Sequence, residues 1–264
     1  MQPKLVQVVG ARMVTLRTVR ITLSGADIVC PTPDAYVKLF FPLPGQGEPE
    51  LAPPVTGDVV SWYRSYLAMP AGIRPPMRTY TVRAHRPSVA EIDVDFVLHG
   101  DSGPGSRWAA GARFGDRVAF LGPTGVHYVP EGTRWQLLVG DETAIPAIGS
   151  IIESAPADAV IRAFIQADPS EWQRFSTVAD VDVQWMPDGV LDAIRATRFD
   201  GGVYAWLAGE AAMVRSVRRH LVGECGIDRR SVTFTGYWRK GMSEEDVGRE
   251  GLVRIEAGLN PEED

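Results

Sequence analysis

Cysteine and histidine are scarce. The 264-residue chain holds two cysteines, Cys30 and Cys225, and four scattered histidines, His85, His99, His127 and His220. With no CxxC and no paired His spacing, neither a disulfide framework nor a zinc site is expected, nor any metal of the protein's own. No window of about 18 apolar residues occurs. Residues 1–10 lack the basic segment, apolar stretch and small-residue cleavage site of a secretion signal. A cytoplasmic monomer without stable membrane association is the expectation. Basic residues are not in excess either: 27 Lys and Arg against 33 Asp and Glu give a net charge of −6. That balance argues against nucleic-acid binding, which is built on surplus positive charge. An anionic partner has to be met by a local basic cluster.

What is present is an ordinary globular composition, 45% hydrophobic and 23% charged, over a length that suits two domains. Residues 5–9, 14–23, 36–41, 78–84, 92–99 and 117–121 read as strands, rich in β-branched and aromatic residues and separated by Gly and Pro. The alternation Ile92-Asp93-Val94-Asp95-Phe96 predicts a strand with one wet face. Six such strands without a long helix predict a closed antiparallel barrel over residues 1–127. Its longest connection, 42–76, is crowded with Pro and Gly and contains one short helical candidate at 61–69.

From about Tyr128 the rhythm becomes strand then helix. Strands at 135–139, 160–165, 181–185 and 203–207 precede helices at 143–153, 170–175, 190–196 and 210–222, with a last strand at 231–237 and a charged helix from Ser243. This predicts an α/β domain, 128–264, with a parallel sheet covered on both faces.

Five segments carry chemistry. Arg78-Thr79-Tyr80-Thr81 opens a barrel strand and offers a cation, a flat apolar ring and a small donor, the three things a flavin asks of its protein. Alone it also reads as a plain strand with a surface Arg and a core Tyr. Val97-Leu98-His99-Gly100 runs into Gly103-Pro104-Gly105-Ser106-Arg107-Trp108, a strand, glycine turn and helix start whose free N–H groups suit a pyrophosphate. A capped turn without ligand has the same pattern. Gly140-Asp141-Glu142-Thr143-Ala144 fills the first crossover turn of the α/β domain, either as a cofactor contact at Thr143 and Ala144 or as simple capping. Trp206 to Glu210 and Gly236-Tyr237-Trp238-Arg239-Lys240 lie where two parallel strands end, the usual ligand edge of an open α/β sheet.

These blocks, taken in order, resemble the siderophore-interacting proteins, FAD-dependent ferric-siderophore reductases with a ferredoxin-NADP reductase-like fold. The resemblance runs from about Leu5 to Arg239. It implies that Arg78 meets the FAD phosphates, Tyr80 the isoalloxazine and Thr81 the flavin N5, with Thr79 in the same motif. It also implies that Val97, His99, Gly105, Ser106 and Trp108 surround the ribityl and pyrophosphate, Gly105 standing where the family more often has Ala. Tyr237 or Trp238 then covers a ring face, Thr81, Tyr237 and Trp238 act catalytically, and Trp206 and Glu210 contact cofactor. Arg239 and Lys240 face an anionic ferric siderophore. The implied reaction takes electrons from NADPH or NADH through FAD to Fe(III), with ferredoxin as an alternative donor. Asp141 and Glu142 would repel a dinucleotide pyrophosphate, so the nicotinamide is expected to dock differently or transiently. Two other functions fit the same residues: a general flavin or ferric-chelate reductase, and a non-catalytic siderophore-binding flavoprotein.

Overall fold

The computed structural model describes residues 3–25, 28–51, 59–98 and 103–257. Strands β1 (Lys4–Met13), β2 (Thr18–Ser24), β3 (Tyr36–Phe40), β4 (Met77–Arg86), β5 (Glu91–Val97) and β6 (Arg117–Thr124) form a closed antiparallel barrel in the order β1-β2-β5-β4-β3-β6. Inward residues at every second position fill it: Val19, Ile21 and Leu23 from β2 meet Val37, Leu39, Ile92, Val94 and Phe96. The outer face of the wall formed by β3, β4 and β6 is covered by α1 (Val59–Ala68), whose Trp62 and Tyr66 pack on Phe40 and Met77. A second short helix, α2 (Pro104–Gly111), lies against β5.

The expected wet face of β5 is absent. Asp93 and Asp95 are 7% and 5% exposed. Arg86 grips Asp93 at 2.7 and 2.8 Å, and Arg20 grips Asp95 at 2.6 and 2.7 Å. Alternation identified the strand, but two arginines on neighbouring strands cover the carboxylates. The strand expected over 14–23 begins at Thr18, because residues 14–17 form the turn after β1, closed by Thr18 N–H donating to Thr15 Oγ1.

In the second half, β7 (Trp135–Asp141), β8 (Val160–Gln166), β9 (Asp180–Met186), β10 (Val203–Glu210) and β11 (Val232–Trp238) form a parallel sheet in the order β11-β10-β7-β8-β9. Its central strand β7 is buried throughout, as a strand covered on both faces must be. Helix α3 (Ile145–Ser154) covers one face, packing Ile148 and Ile152 with Leu138. Helices α4 (Val190–Ala196) and α5 (Ala211–Arg219) cover the other, packing Ile194 and Val217 with Leu137 and Val139. Helix α6 (Glu244–Glu256) follows the sheet, opened by a Ser243–Asp246 capping box. Among the described residues no helix is long and apolar enough to cross a membrane.

The helix expected at 170–175 does not form; a single 3-10 turn, Pro169–Glu171, stands there. Its residues are recruited by the barrel. Glu171, 1% exposed, accepts from the hydroxyls of Thr15 and Thr18 and from Arg17 N–H at 2.5, 2.6 and 3.1 Å. A second tie joins Arg83 of β4 to Glu153 of α3 by two hydrogen bonds of 2.7 and 2.9 Å. Gly149 makes this approach possible: a Cβ there would fall 2.8 Å from the Phe175 ring and 3.2 Å from Arg83 Nε.

Candidate functional site

Strand β4 opens with its polar groups turned toward α6. Arg78 Nη1 donates to both carboxylate oxygens of Glu245 at 2.8 Å. Thr79 donates to Glu244 through its N–H at 2.8 Å and its hydroxyl at 2.5 Å. Lys38 of β3, opposite Thr79 in the ladder, reaches Glu244 at 3.0 Å. Two cations, a main-chain N–H and a hydroxyl thus converge on two carboxylates. The same donors match phosphate oxygens, which they would hold by the same charge-assisted hydrogen bonds. The residues present fit the diphosphate of FAD.

Tyr80 lies on the barrel-interior face of the strand, opposite to Thr79, its ring 4.3 Å from Phe96 and 6.3 Å from Phe41. Trp108 of α2 joins the same cluster, 5.3 Å from Phe41 and 5.8 Å from Phe96. Gly105 and Ser106 are buried in the first turn of α2. A Cβ at Gly105 would overlap the Tyr80 hydroxyl, so glycine at this position gives the tyrosine its seat. Burial pushes the Tyr80 phenol well above its ordinary pKa. Val97 ends β5 half-buried. His99 lies outside the described residues.

On the α/β side, Asp141 ties three segments together. Its carboxylate accepts from Thr143 N–H at 2.9 Å and Thr143 Oγ1 at 2.5 Å, from Glu210 N–H at 2.7 Å, and from Trp238 Nε1 at 2.8 Å. Gly209, at φ +132°, has to be glycine: a Cβ would sit 2.7 Å from that carboxylate. Trp238 is thereby fixed at the end of β11 with 44% of its surface exposed. Tyr237 packs edge-on to Trp206, centroids 6.4 Å apart. Its phenol is pushed up by burial first and then by the charge of Asp34, while hydrogen bonding to the Thr81 side chain opposes the rise. The Thr81 side chain of the barrel thus lies near enough to the Tyr237 phenol of the sheet to influence its ionisation.

Other expected site residues have structural partners. Trp206, 1% exposed, donates through Nε1 to Asp34. Glu210 caps α5 through Met213 N–H at 2.8 Å, and Ala144 is fully buried in the sheet-face core. Arg239 pairs with Glu250 of α6 at 2.8 Å, so its charge is answered within the protein, whereas Lys240 is exposed. The first crossover turn does not fit a dinucleotide pyrophosphate: Thr143 N–H is taken by Asp141, Glu142 adds negative charge, and Pro146 has no N–H.

Sequence reasoning missed Lys38, Glu244, Glu245 and Asp34. The capping box at Ser243 signals that a helix starts there. No local signal says that its first turn lands on β4, more than 160 residues earlier in the chain.

Both halves of the chain match known families. Residues 7–127 match the siderophore-interacting FAD-binding domain, and residues 133–241 match the siderophore-interacting protein domain. An uncharacterised protein of Mycobacterium tuberculosis is 35% identical over 96% of this chain and 97% of its own. The ferric vibriobactin reductase of Vibrio cholerae is 30% identical over 95% and 94%. The crystal structure of a siderophore utilization protein from T. fusca superimposes with a TM-score of 0.79 at 35% identity, over 92% of this chain and 94% of that one. The ferredoxin reductase in carbazole 1,9a-dioxygenase and phthalate dioxygenase reductase share the layout at 16% and 12% identity, a likeness of fold alone. With family models matching both lobes and together covering most of its length, the chain belongs to the siderophore-interacting proteins.

Proposed function

We propose that the protein is a cytoplasmic ferric-siderophore reductase that uses FAD and draws electrons from NADH or NADPH. One observation carries the reading: the donors of Arg78, Thr79 and Lys38 converge on anionic oxygens at the edge of the barrel. Arg78 and Thr79 hold the flavin diphosphate, and the turn at Gly105, Ser106 and Trp108 supports the ribityl chain beside Tyr80. Thr81 and Tyr237 present hydroxyl groups where the lobes meet, and Asp141 holds the Trp238 indole in place to cover one face of the ring. Bound FAD supplies the conversion between paired and single electrons. Lys240, exposed beyond Trp238, attracts an anionic ferric siderophore. Hard oxygen donors grip Fe(III) and hold Fe(II) less tightly, so reduction releases the metal without any iron ligand from the protein. The α/β lobe, placed after His127, receives the nicotinamide along the carboxyl edge of its sheet and away from the blocked first turn.

The test is an absorption spectrum of the purified protein followed by anaerobic titration. Flavin absorbance should bleach with NADH or NADPH and return on adding a ferric siderophore, with Fe(II) trapped by a ferrous chelator. A protein that stays colourless with excess FAD, or stays yellow with each donor, would refute the reading.

A further inference from the structure

The donors that suit a diphosphate are already in use. Thr79 N–H has one proton to give and gives it to Glu244. Arg78 directs Nη1 at both oxygens of Glu245, and Lys38 completes the clamp on Glu244. These groups are sheltered: the Arg78 and Glu245 side chains are 26% and 14% exposed, those of Lys38 and Glu244 32% and 24%. The single Thr79 N–H cannot serve carboxylate and phosphate at once, and with both carboxylates in place the two cations hold no surplus charge for a diphosphate.

We infer that the first turn of α6 is a built-in plug, in which Glu244 and Glu245 occupy the flavin diphosphate site of the apoprotein and are displaced when FAD binds. The inference rests on the flavin reading of Arg78 and Thr79. The plug is hinged rather than detachable. Farther along α6, Gly248 is pressed so closely on Tyr63 of α1 that a Cβ there would overlap the tyrosine hydroxyl. Arg239 ties Glu250 to the segment after β11. With those anchors kept, only the turn carrying Glu244 and Glu245 has to swing away, and the Ser243–Asp246 capping box moves with it as a folded unit. The device screens an otherwise attractive cationic edge from other anions and subtracts its own release from the affinity for FAD.

The experiment titrates the flavin-free full-length protein with FAD, read by quenching of flavin fluorescence, for the wild type, Glu244→Gln/Glu245→Gln and Arg78→Ala. Removing both charges while keeping the shape should tighten FAD binding by about tenfold, equal to ~1.4 kcal/mol, and speed association. In the wild type, backbone amide hydrogen exchange over 244–247 should accelerate when FAD is added, while 250–255 stays unchanged. Equal or weaker binding by the Gln pair, or slowed exchange at 244–247, would overturn the plug and leave the flavin site standing. Arg78→Ala binding FAD as tightly as the wild type would overturn both.

Discussion

Trp206 of the sheet donates its indole N–H to Asp34 of the barrel at 3.0 Å, and both residues are 1% exposed. Asp34 also accepts from Thr32 Oγ1 at 2.6 Å and Val126 N–H at 3.1 Å, so the carboxylate is buried with its partners assembled from both lobes. Trp206→Phe removes one of them. A loss of about 1–3 kcal/mol of stability is expected for a buried acceptor left short of a donor, measured by urea unfolding. FAD affinity should be unchanged; a large drop in it with normal stability would make Trp206 a cofactor contact.

Acid should loosen the junction. Burial alone would raise the Glu171 carboxyl, but hydrogen bonds from Thr15, Thr18 and Arg17 outweigh it and hold the group below the ordinary 4.5. Glu153 behaves likewise, burial opposed by its bonds to Arg83. A pKa depressed by folding contributes stability in full above the unfolded value and loses it as pH falls through the folded one. Melting temperature should therefore decline as pH drops below about 4.5, and Glu171→Gln should flatten that decline while lowering stability near neutrality. An equally steep acid limb in the variant would contradict this.

Gly105→Ala is expected to evict Tyr80 from its place beside Phe96. Overpacking of this kind costs about 1–3 kcal/mol. Tyr80→Phe removes the overlapping hydroxyl, so the two changes together should cost less than their separate sum, the mark of a direct contact in a double-mutant cycle. Additive costs in thermal unfolding would mean that the turn relaxes without touching the ring.

Adjacent basic residues should separate in kinetics. Lys240→Ala is expected to raise KM for an anionic ferric siderophore several-fold, on the order of the 10-fold or larger effects of electrostatic steering, with the difference fading at high salt. Arg239→Ala, whose partner is Glu250, should leave KM near the wild type. The reverse pattern would assign the substrate mouth to Arg239.

Much of the fold was readable because period-two and strand-helix patterns are local. The barrel strands, the buried run of β7 and the helix at Ser243 all announce themselves within a few residues. What escaped depends on distant partners. The 170–175 segment has a plausible helical composition, yet Glu171 finds better acceptor work at Thr15 and Thr18 than a short helix offers. Asp93 and Asp95 look solvated until Arg86 and Arg20 arrive from neighbouring strands. At the site, the motif around Arg78 and Tyr80 could be recognised from its residue types. Arg239 could not be distinguished from Lys240, because pairing with Glu250 is invisible before α6 folds back.

The seat of Glu171 between Thr15 and Thr18 has a further consequence. Severing the chain near the lobe boundary would exchange these hydrogen bonds for water on both fragments and uncover the surfaces they hold together. Arg83 and Glu153 would be parted in the same cut. Each half is expected to be less stable alone than in the intact chain, whose calorimetry should record one shared endotherm in place of two.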